Sequence, residues 1–216
     1  MMRSLFAALA LIAIWLGSTA PLAAAPARYP PRDECTRVPG AAAFRAALAS
    51  AARRRDAAAL SALAASDVML DFGGGAGGAE LAKRLRGSQG PELWSELTAL
   101  LALGCAVEGE NLVLPSFNTD DLGEQDAFAV LLVTGANVPL YSRRSVTSRR
   151  VGRLSWQLVK PLPDNRLDLP LQYVQVVGSP LTGYIAQTKL RSQIGYRLVA
   201  KRVGGRWRIS ALIAGD

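Results

Sequence analysis

The chain has 216 residues, half of them hydrophobic, with 25 Lys and Arg against 17 Asp and Glu, no histidine and a net charge of +8. Without histidine there is no Ser-His-Asp or Cys-His catalytic unit and no histidine-based zinc site, and two cysteines are too few for a four-cysteine zinc site. Much of the hydrophobic fraction is alanine, which buries little area per residue, so packing must come from Leu, Val, Ile and the few aromatics.

Residues 1–27 read as a secretory signal peptide. Arg3 supplies the positive start, residues 5–16 form an apolar run, and Gly17-Ser18-Thr19-Ala20 breaks it with small residues. Cleavage after Ala25 and after Ala27 both satisfy the small-x-small rule, and Pro26 disfavours the first. The apolar run is shorter than the ~20 residues that cross a bilayer, which argues against an uncleaved anchor. A periplasmic or secreted location follows. In an oxidising compartment the even cysteine pair is expected to join as Cys35–Cys105. The positive charge then points to anionic wall polymers and to peripheral contact with an anionic membrane surface, not to nucleic acid.

Residues 26–40, with Pro26, Pro30, Pro31, Pro39 and Gly40, have linker chemistry. From Ala41 the pattern is helical, with Phe44, Leu48 and Ala51/Ala52 at spacings of three and four. Arg53-Arg54-Arg55 suits the helix C-terminus, and Asp56 caps a second short helix carrying Leu60 and Leu63. Residues 68–72 read as a strand. The glycine cluster at 73–78 reads as a strand-to-helix turn, because no Gly-Lys-Ser/Thr follows to make a phosphate loop. Asp67 and Asp71 read as capping and edge residues. A helix begins near Ala79, and another opens at Pro91 with Leu93, Trp94, Leu97, Leu100, Leu101 and Leu103 on its apolar side. Residues 111–117 read as a strand ending at Pro115, and Thr119-Asp120-Asp121 with Gly123 as a solvated turn.

From Phe128 the periodicity shortens. Strands are expected over 128–133, from Val138, over 151–154, 157–160, 173–177 and 182–186, and at Leu190, spaced as in a small barrel. Five pieces stand in order: Asn137-Val138, a Ser-rich stretch over 142–148, Val151-Gly152-Arg153-Leu154, Tyr173-Val174-Gln175-Val176, and Gly183-Tyr184-Ile185 through Leu190. Together they resemble the bacterial SH3-like (Src-homology-3-like) domain of cell-envelope proteins over residues 129–191. Pro139 replaces the Arg usual after Asn-Val, and residues 162–171 are an insertion. The resemblance implies binding of wall peptidoglycan or an envelope peptide on an aromatic surface, for which Tyr141, Trp156, Tyr173 and Tyr184 are the candidates. Trp156 and Tyr173 are equally expected in the barrel core, which leaves Tyr141 and Tyr184 foremost.

Residues 196–203 and 206–213 form a hairpin about Gly204-Gly205. Together with the helix-helix-strand start, this end resembles half of a nuclear-transport-factor-2-like fold. The expected class is α+β: residues 28–128 completed by 192–216, carrying the SH3-like barrel as an insertion. The expected function is a non-enzymatic envelope protein without catalytic residues, metal or cofactor. A scaffold that binds protein partners without wall affinity is the alternative. A glycan hydrolase would have to use Glu92 with Glu96, or Asp120 with Asp121.

Overall fold

The structure is a computed structural model that describes residues 27–163 and 169–215. The expected signal peptide, apart from Ala27, and residues 164–168 of the expected insertion lie outside the described residues. The architecture is α+β with two sheets.

Helix α1 (Ala41–Arg54) buries Phe44, Leu48, Ala51 and Ala52, the stripe that the spacing predicts. It ends at Arg55, whose left-handed backbone (φ 50°) directs its N–H to Ala51 O and Ala52 O, leaving the arginine run exposed. Asp56 caps α2 (Ala57–Ala62) by accepting the Ala59 N–H at 2.9 Å. Strand β1 (Ala64–Met69) follows, then α3 (Gly78–Arg86) and α4 (Gly90–Ala102). On α4, Leu93, Trp94, Leu97 and Leu100 are buried, and Trp94 Nε1 donates to Leu85 O at 3.2 Å, fastening α4 to α3. Strands β2 (Ala106–Glu108) and β3 (Asn111–Leu114) complete the first half.

The first sheet runs β1-β12-β11-β3-β2, where β11 (Arg197–Val203) and β12 (Arg206–Ile213) are the C-terminal hairpin. Strands from both ends of the chain therefore share one sheet, with β1 parallel to β12 through Ala64↔Ile209 and Met69↔Ala211. The helices cover one face with a cluster that includes Leu48, Leu60, Leu81, Leu97, Leu112, Leu198 and Ile209. Each such leucine contributes about 2 kcal/mol by leaving water. Trp207 closes one end: its Nε1 donates to Pro39 O at 3.0 Å and Arg202 lies 4.8 Å over its ring.

The second sheet contains β4 (Leu131–Val133), β5 (Val138–Tyr141), β6 (Arg150–Leu154), β7 (Leu158–Pro161), β8 (Leu171–Val176), β9 (Thr182–Ala186) and β10 (Leu190–Arg191). Its order is β10-β4-β7-β8-β9-β5-β6, so β10 and β6 are free edges, and among the described residues the ladder does not close into a barrel. The sheet nevertheless curls. Val133 of β4 and Leu154 of β6, near opposite edges, join one cluster with Val138, Leu140, Val159, Val174, Val176 and Ile185. On the other side of β4 and β7, Leu132 and Leu158 pack with Phe117, Leu122 and Val130. Strand β4 starts at Leu131 and not at Phe128, because Asp126 takes the Phe128 N–H on its carboxylate and the Ala129 N–H on its carbonyl.

Residues 28–35 are a bonded strap and not a loose linker. Arg28 bridges Gln157, the Tyr29 N–H donates to Trp156 O at 2.7 Å, and Asp33 bridges Cys105. The expected disulfide is present: Cys35 and Cys105 are joined, with Cα atoms 5.7 Å apart and both residues fully buried. One strap thus ties the second sheet to the end of α4.

Candidate functional site

Three of the four expected aromatic residues meet on the second sheet. Tyr173 on β8 stands opposite Tyr184 on β9, and Tyr184 stands opposite Tyr141 on β5. Directly opposed residues share a face, so the three form a row across three adjacent strands. Their neighbours Val174, Ile185 and Leu140 enter the core on the other face. The Tyr173 and Tyr184 rings lie 4.9 Å apart, tilted by 30°, and the Arg144 guanidinium sits 5.4 Å from the Tyr184 ring centre. Tyr173 Oη and Thr182 Oγ1 are 3.3 Å apart. Gly183 makes the row: a Cβ there would stand 2.7 Å from Leu140 Cγ and 2.8 Å from Tyr141 O, so only glycine lets β5 lie this close to β9.

Exposure orders the four differently from the sequence. Tyr173 lies on the outer face, half-buried like Tyr184, while Tyr141 is only 8% exposed and walls one end of the row. Trp156 stands apart. Its backbone is left-handed (φ 57°), with its N–H bound to Gly135 O and its carbonyl to the Tyr29 N–H, and it packs against the cluster that contains Phe117 and Leu158. It anchors the strap.

Arg144 also lines a groove of about 920 Å³ between α4 and the second sheet, together with Glu96, Val146, Leu171 and Arg191. Within it Arg191 Nη1 pairs with Glu96 at 3.2 Å and Arg191 Nη2 donates to Tyr196 O at 2.5 Å. Burial lowers the Arg191 pKa and the Glu96 carboxylate opposes that shift. Sequence periodicity carries no signal for this groove, because its walls come from positions 95 residues apart in the Glu96–Arg191 pair.

In each pair of carboxylates considered for catalysis, one is held by an arginine. Glu96 holds Arg191, and Asp120 holds Arg32 at 2.7 Å. Burial raises the Asp120 pKa, with Arg32 opposing. The 119–123 turn is therefore not simply solvated: the Asp120 side chain is 11% exposed. Asp71, expected as a capping and edge residue, organises the glycine turn. One of its carboxylate oxygens accepts the Gly73 and Gly75 N–H groups at 2.8 Å each, and the other meets Arg84 Nη2 at 2.5 Å. A carboxylate already fills the place that a phosphate would take. Among the described residues no group of three or more acids or cysteines is placed to hold a metal ion, and no helix is long and apolar enough to cross a membrane.

No family model and no curated protein matches the chain. Among solved structures it is similar to an NTF2-like protein with a cystatin-like fold from Novosphingobium aromaticivorans, at 15% identity and a TM-score of 0.29, over 79% of this chain and 75% of that one. A likeness of that size carries neither fold nor activity across.

Proposed function

We propose that the protein is an exported, non-enzymatic component of the cell envelope whose second sheet acts as an SH3-like module binding peptidoglycan or an envelope peptide. The observation that carries this reading is the row Tyr173–Tyr184–Tyr141 on the face opposite the apolar cluster, with Arg144 against Tyr184. Amphipathic rings on a rigid sheet offer a flat apolar contact and hydroxyls at its rim, which suits a saccharide or an extended peptide. Arg144 adds a cation for the carboxylates that wall peptides carry. One feature favours the SH3-like reading of the sheet: it curls about one small Val/Leu/Ile cluster. The disulfide fits an oxidising compartment.

Co-sedimentation with purified sacculi tests the proposal. Binding that survives high salt and drops at least tenfold in Tyr184→Ala supports it. Absence of binding at any salt concentration favours the partner-binding scaffold, and release of soluble muropeptides would reinstate an enzyme.

A further inference from the structure

Apart from Arg144, the loop between β5 and β6 has a chemistry that the tyrosine row does not use. It reads Ser142-Arg143-Arg144-Ser145-Val146-Thr147-Ser148-Arg149 and leads into Arg150. Its own hydroxyls order it. Ser148 Oγ accepts the Arg143 N–H at 3.2 Å and donates to Ser145 O at 2.8 Å, while Ser145 Oγ and Thr147 Oγ1 share a hydrogen at 2.8 Å. At the base the Ser142 N–H donates to Arg149 O at 2.8 Å, and at the tip the Ser148 N–H reaches Ser145 O at 3.1 Å, closing a turn about Val146 and Thr147.

With these hydroxyls turned to the loop itself, the finger presents Val146, which is 63% exposed, and the exposed Arg143, Arg149 and Arg150. Among the described residues none of these three arginines has an ion-pair partner. Past Asp126 the chain carries acids only at Asp164, Asp168 and Asp216, and Glu96, which lines the groove beside Val146, is held by Arg191, so the finger's own charge is positive. A soluble polyanion would engage the arginines and gain nothing from Val146. A bilayer surface offers both halves, anionic headgroups above an apolar layer.

We propose that this finger docks the protein peripherally on an anionic phospholipid surface, with the arginines among the phosphates and Val146 at the acyl boundary. The loop meets the tyrosine row only through Arg144, and the proposal uses Arg143, Val146, Arg149 and Arg150, so it stands or falls without that row.

Sedimentation with vesicles of mixed phosphatidylcholine and phosphatidylglycerol, against vesicles of phosphatidylcholine alone, is the test. The protein binds the anionic vesicles, releases them as salt rises, and ignores the neutral ones. Arg143→Gln/Arg149→Gln weakens partitioning by about 25-fold, at roughly fivefold per arginine. Val146→Ser weakens it severalfold without changing the salt dependence. Both variants keep the wild-type unfolding midpoint, since all three positions are surface. Equal binding to neutral vesicles, no binding to anionic ones, or wild-type binding by the arginine variant overturns the proposal. Wild-type binding by Val146→Ser overturns the lipid assignment, as does loss of sacculus binding in these variants with vesicle binding unchanged.

Discussion

Replacing both cysteines, Cys35→Ala/Cys105→Ala, removes a crosslink that spans 70 residues and encloses α1 to α4. In the chain-entropy description a closed loop of that length stabilises the fold by about 4 kcal/mol. The native geometry around the bond survives its loss, because the Cys105 N–H still donates to Arg32 O at 2.8 Å and the Glu34 N–H to Cys105 O at 2.9 Å. The double variant should therefore keep its fold while its stability drops. With a urea slope of about 2 kcal/mol per molar, the midpoint falls by about 2 M. Urea unfolding of both proteins, followed by tryptophan fluorescence, measures the shift. A midpoint change below about 0.5 M would refute the reasoning. Two reactive thiols in unfolded, unreduced wild-type protein would remove its premise.

Three further predictions concern the first sheet and its surroundings. Gly104→Ala puts a side chain at φ 81° with its Cβ against Arg32 O, and should cost at least about 2 kcal/mol in urea unfolding; an unchanged midpoint would show that the strap does not lie there. Asp71 is held below the ordinary carboxylate range, first by its hydrogen bond from Arg84 and then by the Gly75 amide. A depressed folded-state pKa means that this stabilisation is complete above the unfolded pKa and is lost as pH falls through the folded one. A carboxyl NMR titration should show a low Asp71 midpoint that returns toward the ordinary value in Arg84→Gln; no return would contradict the assignment. Residues 28–128 expressed without 192–216 should show no cooperative unfolding, because β11 is the strand that joins β3 to β12; a sharp transition in that fragment would refute the shared sheet.

Local chemistry was legible where a side chain or a period acts within a few residues. The stripe Phe44, Leu48, Ala51 and Ala52, the Asp56 cap and the Gly204-Gly205 hairpin all form as the sequence reads. The two cysteines also pair as expected. What failed was set by distant partners. Strand β1 begins at Ala64, four residues before Val68, because the Ile209 N–H binds Leu63 O at 2.9 Å and draws an alanine-rich segment into a parallel ladder. Strand β2 carries no signal in Ala106-Val107-Glu108 and exists by pairing with β3. The proline-rich segment before Gly40 has linker composition, and its bonds to distant partners, Cys105, Ser116, Asp120, Trp156 and Gln157, turn it into a strap. Of the tyrosine row, the sequence supplies its members but not their exposure. The irregularity in the β5–β6 ladder at Leu140/Tyr141 accompanies the burial of Tyr141, and no period-two count anticipates it.

The central claim is that the outer face of β8, β9 and β5 holds an envelope ligand. A titration of isotope-labelled protein with a soluble muropeptide, read on the tyrosine ring and backbone amide signals, tests it most directly. The account predicts saturable shifts centred on Tyr173, Tyr184 and Thr182, with smaller ones at Tyr141 and none on the β11–β12 hairpin. Shifts confined to the first sheet, or none at saturating ligand, would contradict it.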